Sequence, residues 1–405
     1  MTRVFHRIRE TTYWYIIFIL KAGGTIKYFD YAASCPLDKE AADAYIKAST
    51  EFFGNSRSLH DTGSEAEGLL ENCRGEIARI LGAEREGIYF TSGGTEGNFL
   101  AIHSLLSASQ PNGKHIITGV AEHSSIHSVL DMLSQDKGYE ITKIPFGEDG
   151  RIDLQKLKAA LRYDTVLISI QHGNSEIGTL QPILEISSIC KQRGILLHSD
   201  CVHTFGKADL VKIAQSADSL TISGHKFYGP KGIGAVYIHP RLRWDPFLPG
   251  GSHEKGFRPG TVNVPGVAAM TVAAQKAYAN LNVHHSHFLL LRAALLKELE
   301  PAKDLIDAYD FEHEYQLPST LGLRMKGLEG QYIMLECNRH GFAISTGSAC
   351  RTGMQSISKT MEALGVNGKS GKEFIRISFG WNTSAEDAKA LGKTLAELTH
   401  EPVQL

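Results

Sequence analysis

The chain of 405 residues carries 42 Lys and Arg against 44 Asp and Glu, a net charge of −2, with 42% hydrophobic and 21% charged residues. At roughly 150 residues per domain there is room for two or three domains around a large core, and the composition excludes a disordered or fibrous chain. No basic stripe stands out that would track a phosphate backbone, so direct nucleic-acid binding is not expected.

The amino terminus places Arg3, Arg7 and Arg9 before an apolar run from Tyr13 to Leu20. That run is shorter than the roughly 20 apolar residues that span a bilayer, and it imitates a signal peptide only loosely. The globular pattern begins at about Lys27. Gly23, Gly24 and Ile26 read as an in-frame translation of a ribosome-binding sequence followed by the place of the true initiator. Residues 1–25 are therefore expected to be a non-native or disordered extension, and no membrane partner is expected.

From residue 37 to 240, strand-like apolar runs alternate with helical stretches, which is α/β text for a mostly parallel sheet flanked by helices. A helix expected over 65–81 sets Leu69, Cys73, Ile77 and Ile80 on one face and stops at Gly82, so Cys73 reads as core. Strands are expected over 88–91, 115–118, 141–145, 166–170, 195–198 and 220–223, where β-branched runs are bounded by Gly, Asn or Asp. Helical text over 267–279 and 288–299 leads to a strand at 321–325, a helix at 329–339 and a strand at 342–345. The implied division is a large domain over 26–275, whose first residues can pack on its neighbour, and a smaller α+β domain over 276–405.

In open α/β sheets ligands bind beyond the carboxyl ends of the strands, so the turns there are where chemistry is sought. Ile88 to Glu96 runs strand, glycine turn, helix, which aims the backbone of Gly94 and the hydroxyl of Thr95 at an anion. Alone this is weak evidence for a phosphate, because many strand–helix turns contain glycine. Thr221-Ile-Ser-Gly-His-Lys226 ends a strand in a lysine which, if desolvated, can form a Schiff base with an aldehyde cofactor. Ile195-Leu-Leu-His-Ser-Asp200 sets a carboxylate at a strand end, where a protonated pyridine nitrogen would offset its burial. Cradle, lysine and aspartate are the three fixtures of a pyridoxal 5'-phosphate site.

Cysteines at 35, 73, 190, 201, 337 and 350 form no CxxC pair and no zinc spacing, which suits a reducing, cytoplasmic compartment. Five lie in apolar text, but Cys350 sits in Ser345-Thr-Gly-Ser-Ala-Cys-Arg-Thr-Gly-Met-Gln-Ser, which reads as a mobile loop with Arg351 at hand to favour a thiolate. The run His284-His-Ser-His287 reads as a solvated helix face rather than a metal site. No GxGxxG opens a helix after the first strand, which argues against a dehydrogenase.

The motifs Tyr28-Phe-Asp-Tyr-Ala-Ala, Phe90-Thr-Ser-Gly-Gly-Thr-Glu, Asn174-Ser-Glu-Ile-Gly, Ser223-Gly-His-Lys-Phe-Tyr-Gly-Pro-Lys-Gly, Arg258-Pro-Gly-Thr and Ser345-Thr-Gly-Ser-Ala-Cys350 are specific in combination. They resemble the cysteine desulfurases of the NifS/IscS type, within the aminotransferase class V family of fold-type I pyridoxal phosphate enzymes, over nearly everything from about Lys27 onward. The resemblance implies Lys226 as the Schiff-base lysine, Asp200 on the pyridine nitrogen, His123 stacked on the ring and Asn174 near the ring oxygen and substrate. It implies Thr95, Ser223 and His225 as phosphate ligands, Thr261 reaching the phosphate of a neighbouring subunit, and so a homodimer. Arg376 would clamp the substrate carboxylate, and Cys350 would take sulfur from L-cysteine for delivery to an acceptor such as an iron–sulfur scaffold or a thiolation enzyme.

Two positions depart from the pattern. His203 stands where the family usually has a glutamine on the cofactor's phenolic oxygen, and Cys201 replaces a small residue and is expected to pack inertly. An aminotransferase or a selenocysteine lyase of the same fold would keep Lys226 and Asp200 without needing a loop thiol.

Overall fold

The computed structural model describes residues 26–108, 113–347 and 357–399. Its strands are β1 (Lys27–Tyr28), β2 (Ile88–Thr91), β3 (His115–Gly119), β4 (Glu140–Ile144), β5 (Thr165–Ser169), β6 (Leu196–Asp200), β7 (Ser219–Ser223), β8 (Gly234–Ile238), β9 (Ile306–Tyr309), β10 (Thr320–Met325), β11 (Phe342–Ala343) and β12 (Phe374–Ser378). The longer helices are α1 (Lys39–Glu51), α2 (Asp61–Leu81), α3 (Gly94–Ala108), α4 (Ser124–Lys137), α5 (Ile183–Arg193), α6 (Val264–Ala279), α7 (Leu281–Leu299), α8 (Gly330–Arg339) and α9 (Ala385–Leu398).

Local chemistry sets these boundaries. His60 caps α2 by accepting the Gly63 N–H, and the helix ends where Gly82 adopts φ 59°. Between those ends Leu70, Cys73, Ile77 and Ile80 are buried, so Cys73 is core. The strands found at 88–91, 115–119, 140–144, 165–169, 196–200 and 219–223 follow the expected ones within a residue or two.

Seven strands form one sheet in the order β2-β8-β7-β6-β5-β3-β4. β3 to β7 pair in parallel, whereas β8 runs antiparallel to both β2 and β7. Two antiparallel steps leave β2 parallel to β7, so the ends of β2, β6 and β7 share one edge. Gly234, the first residue of β8, pairs with Thr91 on one side and Ser223 on the other. A Cβ there would stand 2.6 Å from the Ile222 carbonyl oxygen and 2.8 Å from the Gly93 α carbon, so only glycine lets the two turns approach.

A second, antiparallel sheet has the order β12-β10-β9, and β1 pairs in parallel with β11, Lys27 beside Phe342 and Tyr28 beside Ala343. Its core joins Phe29 to Phe288, Leu291, Leu323, Ile377 and Leu391. The helix carrying His284 to His287 is less solvated there than its sequence suggests. His284 stacks on Trp381 at 4.5 Å, and His287 Nε2 lies 3.0 Å from the Thr383 carbonyl. No helix among the described residues is long and apolar enough to cross a membrane.

Candidate active site

The site lies at the shared strand edge. β2 ends in Thr91, and after Ser92 and Gly93, at φ 147°, α3 begins at Gly94, leaving its first amide groups without helical partners. Ser92, Gly93, Gly94 and Thr95 line a cavity of about 440 Å³ together with Ser223, His225, Lys231 and Gly232 from the turn after β7. A helix amino terminus, the hydroxyl groups of Ser92, Thr95 and Ser223, an imidazole and a lysine make a cradle for a phosphate-sized anion. Burial and then the nearby lysine charges push His225 down to about 4, so its ring is neutral at pH 7. Lys231 is a member of this wall that the sequence reading passed over.

Lys226 follows in the same turn. Its Nζ donates to the carbonyls of Ala32, at 2.6 Å, and Ala33, at 2.9 Å. Burial first, then the positive charges of Lys207 and Arg376, push this amine down to about 8. Lys207, also unforeseen, donates to the His203 carbonyl at 3.1 Å and is itself pushed to about 8 by burial.

Asp200 closes β6. Its Oδ1 accepts the Val202 N–H at 2.9 Å, and its Oδ2 accepts from Asn98 of α3 at 2.7 Å. Asn98 Nδ2 also reaches Ser125 Oγ at 3.0 Å, and Ser125 Oγ lies 2.8 Å from Nδ1 of His123, the residue that caps α4. These two sequence-predicted residues are therefore joined through Asn98 and Ser125, which sequence reading missed.

His203 is buried, with Nε2 3.1 Å from the Thr320 hydroxyl. Burial, reinforced by the charges of Lys207, Lys226 and Arg376, holds its pKa well below the usual histidine range. Its Nδ1 is buried without a hydrogen-bond partner among the described residues, a vacancy that a ligand oxygen or nitrogen would fill. Beside it Cys201 is fully buried and pushed up to about 12, which is inert packing.

Arg376, on β12, donates from one guanidinium nitrogen to Asp30 at 2.6 Å and from another to the Ser175 carbonyl at 3.2 Å. Asn174 is fully buried, and its Oδ1 accepts the N–H groups of Glu176 and Ile177 while its Nδ2 donates to Thr360 at 3.0 Å. Its amide is largely used in shaping its own turn. Thr261 is exposed and does not line the cradle cavity, although its neighbour Arg258 donates to both Glu96 oxygens, at 3.0 and 2.9 Å, and so ties this segment to α3. Cys350 and Arg351 lie outside the described residues. The cysteines at 35, 73, 190, 201 and 337 are all buried and free.

The residues present fit pyridoxal 5'-phosphate: an anion cradle, an amine of depressed pKa, a carboxylate at a strand end and an orphaned imidazole nitrogen share one edge of the sheet.

Comparison with known proteins points the same way. The family model described as aminotransferase class V matches residues 27–391. A protein of Bacillus subtilis (strain 168) with "cysteine desulfurase NifS" in its name is 46% identical over 92% of this chain and 94% of its own length. The cysteine desulfurase IscS of Dictyoglomus turgidum is 39% identical over 89% of this chain and 91% of its own. Among solved structures, a NifS-like protein superposes with a TM-score of 0.84 at 29% identity, covering 92% of this chain and 99% of that one. Another, SspA in complex with cysteine, gives 0.74 at 30% identity over 87% and 98%.

Proposed function

The chain belongs to the aminotransferase class V family, and from that premise we propose that its site works as a pyridoxal phosphate-dependent cysteine desulfurase with the assignment of residues that follows. Its reaction takes L-cysteine to L-alanine and leaves the sulfur as an enzyme persulfide for an acceptor protein. The observation that carries the reading is the convergence of the cradle, Asp200 and Lys226 at the ends of β2, β6 and β7.

Pyridoxal phosphate, when bound, supplies an aldehyde for the lysine and a ring that stores the electron pair left by the departing α proton. Gly94, Thr95, Ser223 and His225 would hold its phosphate, with Thr261 contributed by a second copy of the chain in a homodimer. Asp200 would pair with the pyridine nitrogen, His203 with the phenolic oxygen and His123 with the ring, and Asn174 would serve ring and substrate. Lys226, whose amine is pushed down to about 8, is partly neutral near pH 7 and can take and return a proton at the substrate carbon. Arg376 offers a planar fork to the substrate carboxylate, which takes the place Asp30 holds.

Cys350 thiolate attacks the substrate sulfur. The new S–S bond forms as the C–S bond breaks, the bonding pair stays with carbon, and protonation completes alanine. Two features support Cys350 in this role. Burial raises the other five thiols above their ordinary value, which disfavours the thiolate. Gly347, three residues earlier, sits where a Cβ would stand 2.9 Å from the carboxyl carbon of the buried Glu176, next to Ser175, whose carbonyl Arg376 contacts. The same proposal includes a cytoplasmic location and a division into units over 26–275 and 276–405.

The test is alanine and sulfide release from L-cysteine by wild type beside Cys350→Ser, with reductant present and cofactor absorbance recorded. Equal amounts of both products from wild type, and neither from a coloured variant, are expected. Colour without products in wild type would overturn the reading.

A further inference from the structure

Asn98 sits in the first turns of α3 and is 1% exposed, so each polar atom of its amide needs a partner. On one side His198 Nε2 lies 3.2 Å from Asn98 Oδ1, and His198 Nδ1 lies 2.7 Å from Ser219 Oγ. Burial pushes His198 down to about 3, so its ring carries one proton at pH 7. Because Asp200 can only accept in its charged form, the Asn98 atom 2.7 Å from it is the NH2 group. Asn98 Oδ1 then accepts, which places the His198 proton on Nε2 and leaves Nδ1 to accept from Ser219.

The two N–H groups of Asn98 divide between two partners, Asp200 Oδ2 and Ser125 Oγ. Ser125 Oγ thus already receives a proton, and its own hydroxyl proton is free to point at His123 Nδ1, 2.8 Å away. The Ser125 backbone N–H, at 3.2 Å, aims at the same nitrogen. Two donors on Nδ1 require that atom to hold its lone pair, so the ring proton sits on Nε2.

We propose that Asn98 is a positioning residue that sets the proton of His123: acting through Ser125 it keeps Nδ1 an acceptor, so His123 presents Nε2–H to the reacting centre while the same amide orients Asp200. This rests on the assignment of His123 and Asp200 to the desulfurase site. Its chemical consequence is that His123 enters the reaction as a proton donor, and a base step falls to Lys226.

Asn98→Asp tests the direction of the chain. Beside Asp200 the new carboxyl is protonated, because two carboxylates at this distance cannot both ionise. Its hydroxyl proton turns to Asp200, and the same oxygen now accepts from Ser125. The Ser125 lone pairs then face His123, and this shorter contact, 2.8 Å against 3.2 Å for the Ser125 backbone N–H that still aims at the ring, favours a proton on Nδ1. Full-length protein labelled with ring-15N histidine, with the His123 signal identified by its loss in His123→Gln, reads the tautomer by two-bond correlation. The wild type is expected in the Nε2–H form and Asn98→Asp mostly in the Nδ1–H form. The double variant Asn98→Asp with Ser125→Ala is expected to return toward Nε2–H, a recovery that simple misfolding would not give. Kinetically, kcat should fall by at least about tenfold in Asn98→Asp with KM within about twofold, the mark of a lost proton-transfer contribution. An unchanged tautomer in Asn98→Asp overturns the proposal whatever the activity. Failure of wild type to release alanine overturns the desulfurase reading instead and leaves the tautomer result standing.

Discussion

An amine that must act as a neutral nucleophile or base gains from every unit by which its pKa approaches the working pH, and Lys226 owes its shift to burial and then to Lys207 and Arg376. Cofactor capture by the cofactor-free enzyme should therefore quicken as pH rises through about 8, the value to which Lys226 is pushed. Replacing Lys207 by Met removes one repelling charge and should move that midpoint upward; stopped-flow absorbance of added pyridoxal phosphate checks it, and a midpoint that stays or drops contradicts the account. Lys226, Asp200 and Thr95 were legible in the sequence because each stands in a turn whose neighbours announce it. Asn98, Ser125 and His198 were not. Their meaning depends on partners in other elements, about a hundred positions away for Asn98 with Asp200 and His198 with Asn98 and 27 for Ser125 with Asn98, and a lone polar residue carries no local mark of that. Lys207 went unremarked for the same reason. The glutamine-to-histidine exchange at 203 was visible, but the neutrality of that imidazole became clear only from its surroundings.

The turn between β2 and α3 turns on a single conformation. Gly93 holds φ 147°, a region that residues with a Cβ adopt only at a cost of about 1–3 kcal/mol. Gly93→Ala should reshape the cradle and weaken cofactor retention about tenfold or more. Absorbance titration of the cofactor-free variant measures this, and unchanged retention would show that the turn has other ways to present its amides. Parallel strands announced themselves as β-branched runs, and the helices by their three-to-four spacing, so β2 to β7 and α2 could be anticipated. The reversal of β8 could not, since an antiparallel partner is chosen by what lies beside it and Gly234-Ala-Val-Tyr-Ile reads alike in either direction. Nor were β8, β9 and β12 anticipated as strands: β8 is made by its pairing with β2 and β7, and β9 and β12 by pairing with β10. Helix α8 illustrates the ordinary error of a residue at a boundary, because Glu329 is its cap rather than its first member.

Over the whole molecule, buried histidines link stability to pH. Burial pushes His103, His172 and His225 down to about 4 and His198 to about 3. In the unfolded chain they take up protons near 6.5, whereas the folded protein does not until far lower, so their stabilising share is present above pH 6.5 and lost as pH falls. His172 and His198, which are fully enclosed, each forfeit about 2 kcal/mol by pH 5, and the less enclosed His103 and His225 forfeit less. Buried Glu122 and Glu176, whose pKa values are raised by desolvation, oppose the trend but are fewer. The urea midpoint should drop between pH 7 and 5, and drop less in His172→Asn; a midpoint flat over that range would contradict the assignment. The alternating βα text disclosed the open sheet, while the pairing of the chain's opening residues with residues three hundred places later has a temporal side. β1 and Phe29 are completed only by β11 and the core around Ile377. At roughly 5–20 residues per second of synthesis, residue 28 waits about 16–60 s for residue 343 to emerge. During that interval β1 and its neighbouring phenylalanine remain unclaimed, so this part of the fold closes only after residue 343 of 405 has been made.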